Sequence, residues 1–208
     1  MFVQNILTQG LSPVQAQLLQ SAKVLVVGDM STAKTIVTNL CVLNVGTVKI
    51  WGNDSCNSFE NFLQNSDSQT KIYDCSDVAL AEVVCECDIV VDCILDLQDK
   101  LALNLLAVKF GVPFVFASMH NSLGQVAFLK SPQTPCLECL YQKETSFSAK
   151  KLQSDYLSNP ISALQSDMVV RWILGFDDVL DGCMLTYDSA EMKFNKIVLA
   201  KKQDCPVC

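Results

Sequence analysis

Two Cys-x-x-Cys pairs constrain this chain more than any other feature: Cys136 and Cys139 in Cys-Leu-Glu-Cys, and Cys205 and Cys208 in Cys-Pro-Val-Cys. A two-residue spacer in a tight turn lets both thiolates face one metal, and four thiolates complete a closed tetrahedral zinc site. Such a site is structural, because no coordination position remains for a substrate. The pairs stand 65 residues apart, far more than in a compact zinc ribbon, so the fold must carry the 136–139 turn to the final residues. Pro135 and Pro206 lie beside or within the pairs, as rigid turns require. The competing readings are chance proximity in a cysteine-rich chain and a redox pair. The second lacks a neighbouring thioredoxin pattern.

Eleven cysteines in 208 residues fit either a secreted disulfide framework or a reduced intracellular chain. The odd count, the lack of a signal-peptide pattern at the start, and cysteines inside the apolar run 83–91 favour reduced, buried thiols and a cytoplasmic location. No run reaches the ~18–20 apolar residues that span a bilayer, so no membrane association is expected. The net charge of −7, with a single arginine, Arg171, argues against nucleic acid as a partner. The length suits one domain over residues 1–208.

The apolar pattern alternates between strand and helix. Leu11, Val14 and Leu18 follow helical spacing, with Ser12-Pro13 as a start signal. Lys23–Gly28 is a continuous apolar run closed by glycine, residues 31–44 read as a helix, and Thr47–Trp51 as a second strand; together they have the length of a βαβ unit. Residues 52–71 are polar and read as a loop, and Lys71–Tyr73 as a short strand. A helix is expected over Val78–Val84, a strand over Asp88–Asp92, a helix over Lys100–Lys109 stopped by Gly111, and strands over Val112–Ala117 and Gly124–Leu129. Residues 141–159 read as an exposed crossover, and Ile161–Leu174 as an amphipathic helix ended by Gly175. Met184–Tyr187 and Lys196–Leu199 read as an antiparallel pair. The expected class is α/β: a Rossmann-like, mostly parallel sheet with helices on both faces, antiparallel C-terminal strands and a zinc knuckle of four cysteines.

These segments are identified with a family. Lys23–Gly28 followed by a helix, Asn44-Val-Gly-Thr47, Cys87-Asp-Ile-Val-Val-Asp-Cys93, Gly111–Phe114, Gly124-Gln-Val126, Pro135–Leu140 and the closing Cys-Pro-Val-Cys208 resemble the ThiF/MoeB/HesA proteins, relatives of ubiquitin-activating E1 enzymes. The resemblance covers nearly the whole chain. It implies adenylation of the C-terminus of a small ubiquitin-like carrier or a peptide with ATP and magnesium, usually by a dimer.

The residues that such chemistry uses are largely replaced. The family's glycine-rich turn, about G-x-G-G-x-G, reads here Gly28-Asp29-Met30-Ser31-Thr32-Ala33, and only Gly28 matches. Side chains at the other positions hinder backbone approach to phosphate, and Asp29 adds repulsion. The ribose-binding acid falls nearest Asp54, displaced from the strand end. The N-terminal arginine position carries Gln4; the Asn-Leu-Gln-Arg-like element is at best Asn61–Asn65; and a lysine-bearing helix is missing around Ser66–Thr70. The magnesium aspartate falls at Leu95, one place before Asp96. Residues 151–159, in the crossover, hold no reactive cysteine. ATP and magnesium are thus doubtful cofactors, whereas zinc is expected.

Among other candidates, His120 lies beyond a strand end, where α/β sheets bind ligands; a hydrogen-bonded loop histidine is the plainer reading. Lys34 could substitute as a phosphate-binding cation, although a solvated lysine explains it more simply. Arg171 reads as a surface or dimer residue. Three functions stay open. The chain is a degenerate E1-like pseudoenzyme that binds a ubiquitin-like carrier, a peptide or an E1-like partner, as a homodimer or heterodimer. Or it is an adenylyltransferase with rearranged ligands Gly28, Lys34, Asp54 and Asp96. Or its groove serves a different small molecule. The joint loss of cationic and metal-binding groups favours the first, since even one oxyanion donor is worth roughly 3 kcal/mol.

Overall fold

The structure is a computed structural model that describes residues 10–52, 68–141, 155–176, 179 and 182–208. Eight strands form one sheet in the order β3-β2-β1-β4-β5-β6-β7-β8. The parallel half contains β1 (Lys23–Gly28), β2 (Thr47–Trp51), β3 (Lys71–Asp74), β4 (Ile89–Cys93) and β5 (Phe114–His120). From β5 onward the sheet is antiparallel, through β6 (Leu123–Leu129), β7 (Cys183–Asp188) and β8 (Lys193–Val198). The antiparallel half therefore starts one strand before the C-terminal pair that the sequence marks.

The period-2 alternation of the strands feeds two cores. Val24, Val26, Ile89 and Val91 face α2 (Met30–Val42) and α6 (Asp155–Ile173), together with Ile36, Leu40 and Val169. Leu25, Val27, Val90 and Phe116 face the opposite side, where α3 (Leu80–Val84), α4 (Leu97–Phe110) and α5 (Leu137–Leu140) pack. The remaining helix, α1 (Pro13–Ser21), starts with a capping box between Ser12 and Gln15, as Ser12-Pro13 signals.

Three boundaries differ from the sequence reading. The helix α4 runs from Leu97, because the Asp96 carboxylate caps it, and stops at Gly111 in the left-handed conformation (φ 68°). The helix α6 starts at Asp155 instead of Ile161; Pro160 sits in its second turn, where it removes one main-chain hydrogen bond. Strand β5 extends to His120, whose partner is Leu123 across a tight hairpin. His120 is therefore a strand residue, paired on its antiparallel side.

Candidate metal centre and the remodelled nucleotide end

The long separation of the two Cys-x-x-Cys pairs is closed by the sheet. Strand β6 leads into α5, whose N-cap is Cys136, while β7 and β8 bring the last residues back beside it. The Sγ atoms of Cys136, Cys139, Cys205 and Cys208 all lie within 4.8 Å of one another. Cys136 and Cys205 are 3.6 Å apart at sulfur, and Cys139 and Cys208 3.5 Å. Tetrahedral thiolates at a Zn–S distance of about 2.3 Å stand about 3.8 Å apart, so four sulfurs at this spacing could form a zinc site.

The surroundings suit thiolates. Burial pushes the Cys136 and Cys139 thiols up, but main-chain N–H groups of Cys139 and Lys202 point at these two sulfurs and favour the charged form. Burial also acts on Cys208, yet the Ser131 hydroxyl and the Cys136 amide hold it at about 7. The Lys202 ammonium donates to the Glu138 carbonyl at 3.2 Å, which ties the tail to α5. Leu137 N–H donates to Asn104 Oδ1 on α4 at 2.9 Å, which ties α5 to the sheet layer.

At the carboxyl ends of the parallel strands, Gly28 has φ 126°, and a Cβ there would meet the Cys93 carbonyl carbon at 2.4 Å. Gly52 is equally tight: its Cβ would meet the Gly28 oxygen at 2.3 Å. Close packing of the ends of β1, β2 and β4 therefore accounts for Gly28 by itself. The next residue, Asp29, is the N-cap of α2. Its carboxylate accepts from Ser31 N–H at 2.9 Å and from the Ser31 hydroxyl. An anion from the chain itself thus occupies the helix end that otherwise offers free N–H groups to phosphate.

The other sequence candidates do not converge here with equal clarity. Lys34 is exposed on α2. Asp96 Oδ1 accepts from Gln98 and Asp99 N–H at 2.8 and 3.2 Å, and so works as a helix cap. Arg171 pairs with Asp167 one turn away at 2.7 Å. Asp54, Gln4 and Asn61–Asn65 lie outside the described residues.

Sequence reasoning missed a buried charge network beside this end. Asp92, fully buried on β4, receives Lys100 Nζ of α4 at 2.6 Å, and Lys100 also donates to the Ala117 carbonyl at 2.7 Å. Ile94 N–H donates to the second carboxylate oxygen at 2.9 Å, and Gln165 of α6 donates to the Asp92 carbonyl at 2.8 Å. Burial pushes the Asp92 carboxyl up against the opposing pull of Lys100. The sequence did hold a signal: Lys100 shares a helical face with the buried Leu103, Asn104 and Ala107.

The ThiF family matches residues 57–207. The chain belongs to the ThiF family. Among curated relatives, the sulfur carrier protein adenylyltransferase of Thermus thermophilus is 28% identical over 137 residues, covering 61% of this chain and 51% of the relative. The adenylyltransferase and sulfurtransferase MOCS3 of Culex quinquefasciatus is 28% identical over 193 residues, 88% of this chain and 44% of that protein. The chain spans about half the length of the curated relatives it matches. E. coli MccB solved with AMPCPP and the peptide MccA shares the fold at TM-score 0.80 and 18% identity, covering 99% of this ThiF-family chain and 73% of MccB. Among the described residues, no helix is long and apolar enough to cross a membrane.

Proposed function

We propose that residues 1–208 form one E1-like domain that has kept the fold and a structural zinc clamp at Cys136, Cys139, Cys205 and Cys208 and has given up adenylation. In this reading it is a cytoplasmic, non-catalytic binding or scaffold protein. Its partner is a ubiquitin-like or sulfur carrier, a peptide or an E1-like subunit, and it works as a homodimer or heterodimer. The observation that carries the reading is Asp29: the α2 N-terminus holds the chain's own carboxylate where the family's glycine-rich turn would leave N–H groups for phosphate. The names of the relatives support the partner class, since they are activators of sulfur carriers or, for MccB, a protein solved with the peptide MccA. A surface for such a partner is present at the sheet edge. Strand β8 is exposed along its length, with Phe194 and Val198 in the open, and an edge strand of this kind can accept an added strand.

The second reading, an adenylyltransferase using Gly28, Lys34, Asp54 and Asp96 with ATP and magnesium, is favoured by the names of relatives such as the Thermus adenylyltransferase. ATP–pyrophosphate exchange with carriers ending in glycine separates the two. The pseudoenzyme reading predicts exchange at the level of a no-enzyme control. Robust exchange that disappears in Asp96→Ala would replace it with the second.

A further inference from the structure

The helix α4 departs from the usual pattern of a surface helix. Its inner face, Lys100, Leu103, Asn104 and Ala107, is buried against the sheet. The outer face is also apolar: Ala102 and Leu105 are exposed in its middle, Leu101, Leu106 and Val108 are half-buried on its flanks, and Phe110 is exposed at its end. Leu105 keeps 51% of its surface in solvent and Phe110 37%. Charge appears only toward the ends, with Asp96 and Asp99 at the start and Lys109 in the last turn. A helix that is apolar all round is expected to be covered on both sides.

We propose that the outer face of α4 is a self-association surface, occupied by α4 of a second copy of this chain running antiparallel. The charge pattern selects that occupant. A two-fold interface must be self-complementary, and this face is: Asp99 and Lys109 lie about 15 Å apart along the axis at 1.5 Å per residue, symmetrically about residue 104. Antiparallel pairing therefore sets each Asp99 against the Lys109 of the other copy. The small Ala102 lets the axes approach, and Leu105 of one copy meets Leu101, Ala102 and Leu105 of the other at the centre. Antiparallel alignment also opposes the helix dipoles favourably, whereas parallel pairing would bring Asp99 against Asp99. The unshielded Leu105 supplies the apolar contact and the charged ends fix its direction.

This inference rests on the homodimer part of the proposed function and names its surface. The test is sedimentation velocity of the full chain across a concentration series, for wild type, Leu105→Asp, Asp99→Lys, Lys109→Asp and the double reversal Asp99→Lys/Lys109→Asp. Wild type is expected to show one association step that Leu105→Asp abolishes. Each single reversal is expected to weaken it by roughly tenfold, because symmetry removes two pairs at once, and the double reversal is expected to restore it. The charge variants sit on exposed residues, so they remain informative if Leu105→Asp misfolds. A wild-type chain that stays monomeric would overturn the surface and the homodimer together. Association unchanged by Leu105→Asp, or a double reversal no better than the singles, would overturn the α4 surface alone.

Discussion

Cys139→Ser should release the zinc and lower the melting temperature sharply, while Cys85→Ser, which changes an exposed thiol outside the cluster, should do neither. The size follows from what the clamp joins. The metal ties α5 to the C-terminal tail and so closes a loop of roughly 70 residues; as a cross-link this is worth about 4 kcal/mol of unfolded-state entropy. For a chain of this size that corresponds to about 8–16 °C in melting temperature. The four sulfurs are already within bonding distance of one ion, so metal removal leaves thiols crowded in a partly buried pocket with nothing to share their charge. Elemental analysis should find one zinc per wild-type chain and a clear deficit in Cys139→Ser. Free alkylation of all four thiols in the native protein would contradict the assignment.

The second large effect is expected at a residue that touches no metal. Lys100→Met should destabilise the protein by about 3–5 kcal/mol, the usual cost of leaving one partner of a buried ion pair alone. Asp92 is fully buried, and its carboxylate would keep only the N–H groups of Ile94 and Ala117. The Ala117 carbonyl would lose the Lys100 ammonium as a donor as well. Adding Asp92→Asn removes the uncompensated charge and leaves an amide that can donate to that carbonyl. The double variant should therefore recover more than half of the loss in urea denaturation. A double variant as unstable as Lys100→Met alone would show that shape at this site, not charge, sets the cost.

The parts of this molecule that follow local rules are legible in the sequence. The run Lys23–Gly28, the apolar stripe of residues 31–44 and the strand Thr47–Trp51 need only periodicity and a closing glycine, and they form the expected βαβ unit. The four cysteines are legible because their spacing is chemical in origin. Other features depend on who packs against whom. The pairing of Asp92 with Lys100 crosses from strand to helix, and its remaining partners come from Ala117 and from Gln165 on α6. The turn of β6 against β5 reverses the sheet through a hairpin of two residues, Asn121 and Ser122; Asn121 at φ 52° is its one backbone clue. Asp29 reads from sequence as a charge that repels phosphate; its second role as the cap of α2 emerges only once the helix end is placed.

In the proposed function, this ThiF-family chain has closed its nucleotide site with its own residues. Calorimetric titration of the full chain with Mg-ATP tests that most directly, because it needs neither a carrier nor turnover. The expected result is no heat of binding beyond dilution, or an affinity no tighter than millimolar, with Asp29 already satisfying the α2 N-terminus. A one-to-one isotherm in the micromolar range, lost in Asp96→Ala, would contradict it and restore the adenylyltransferase reading.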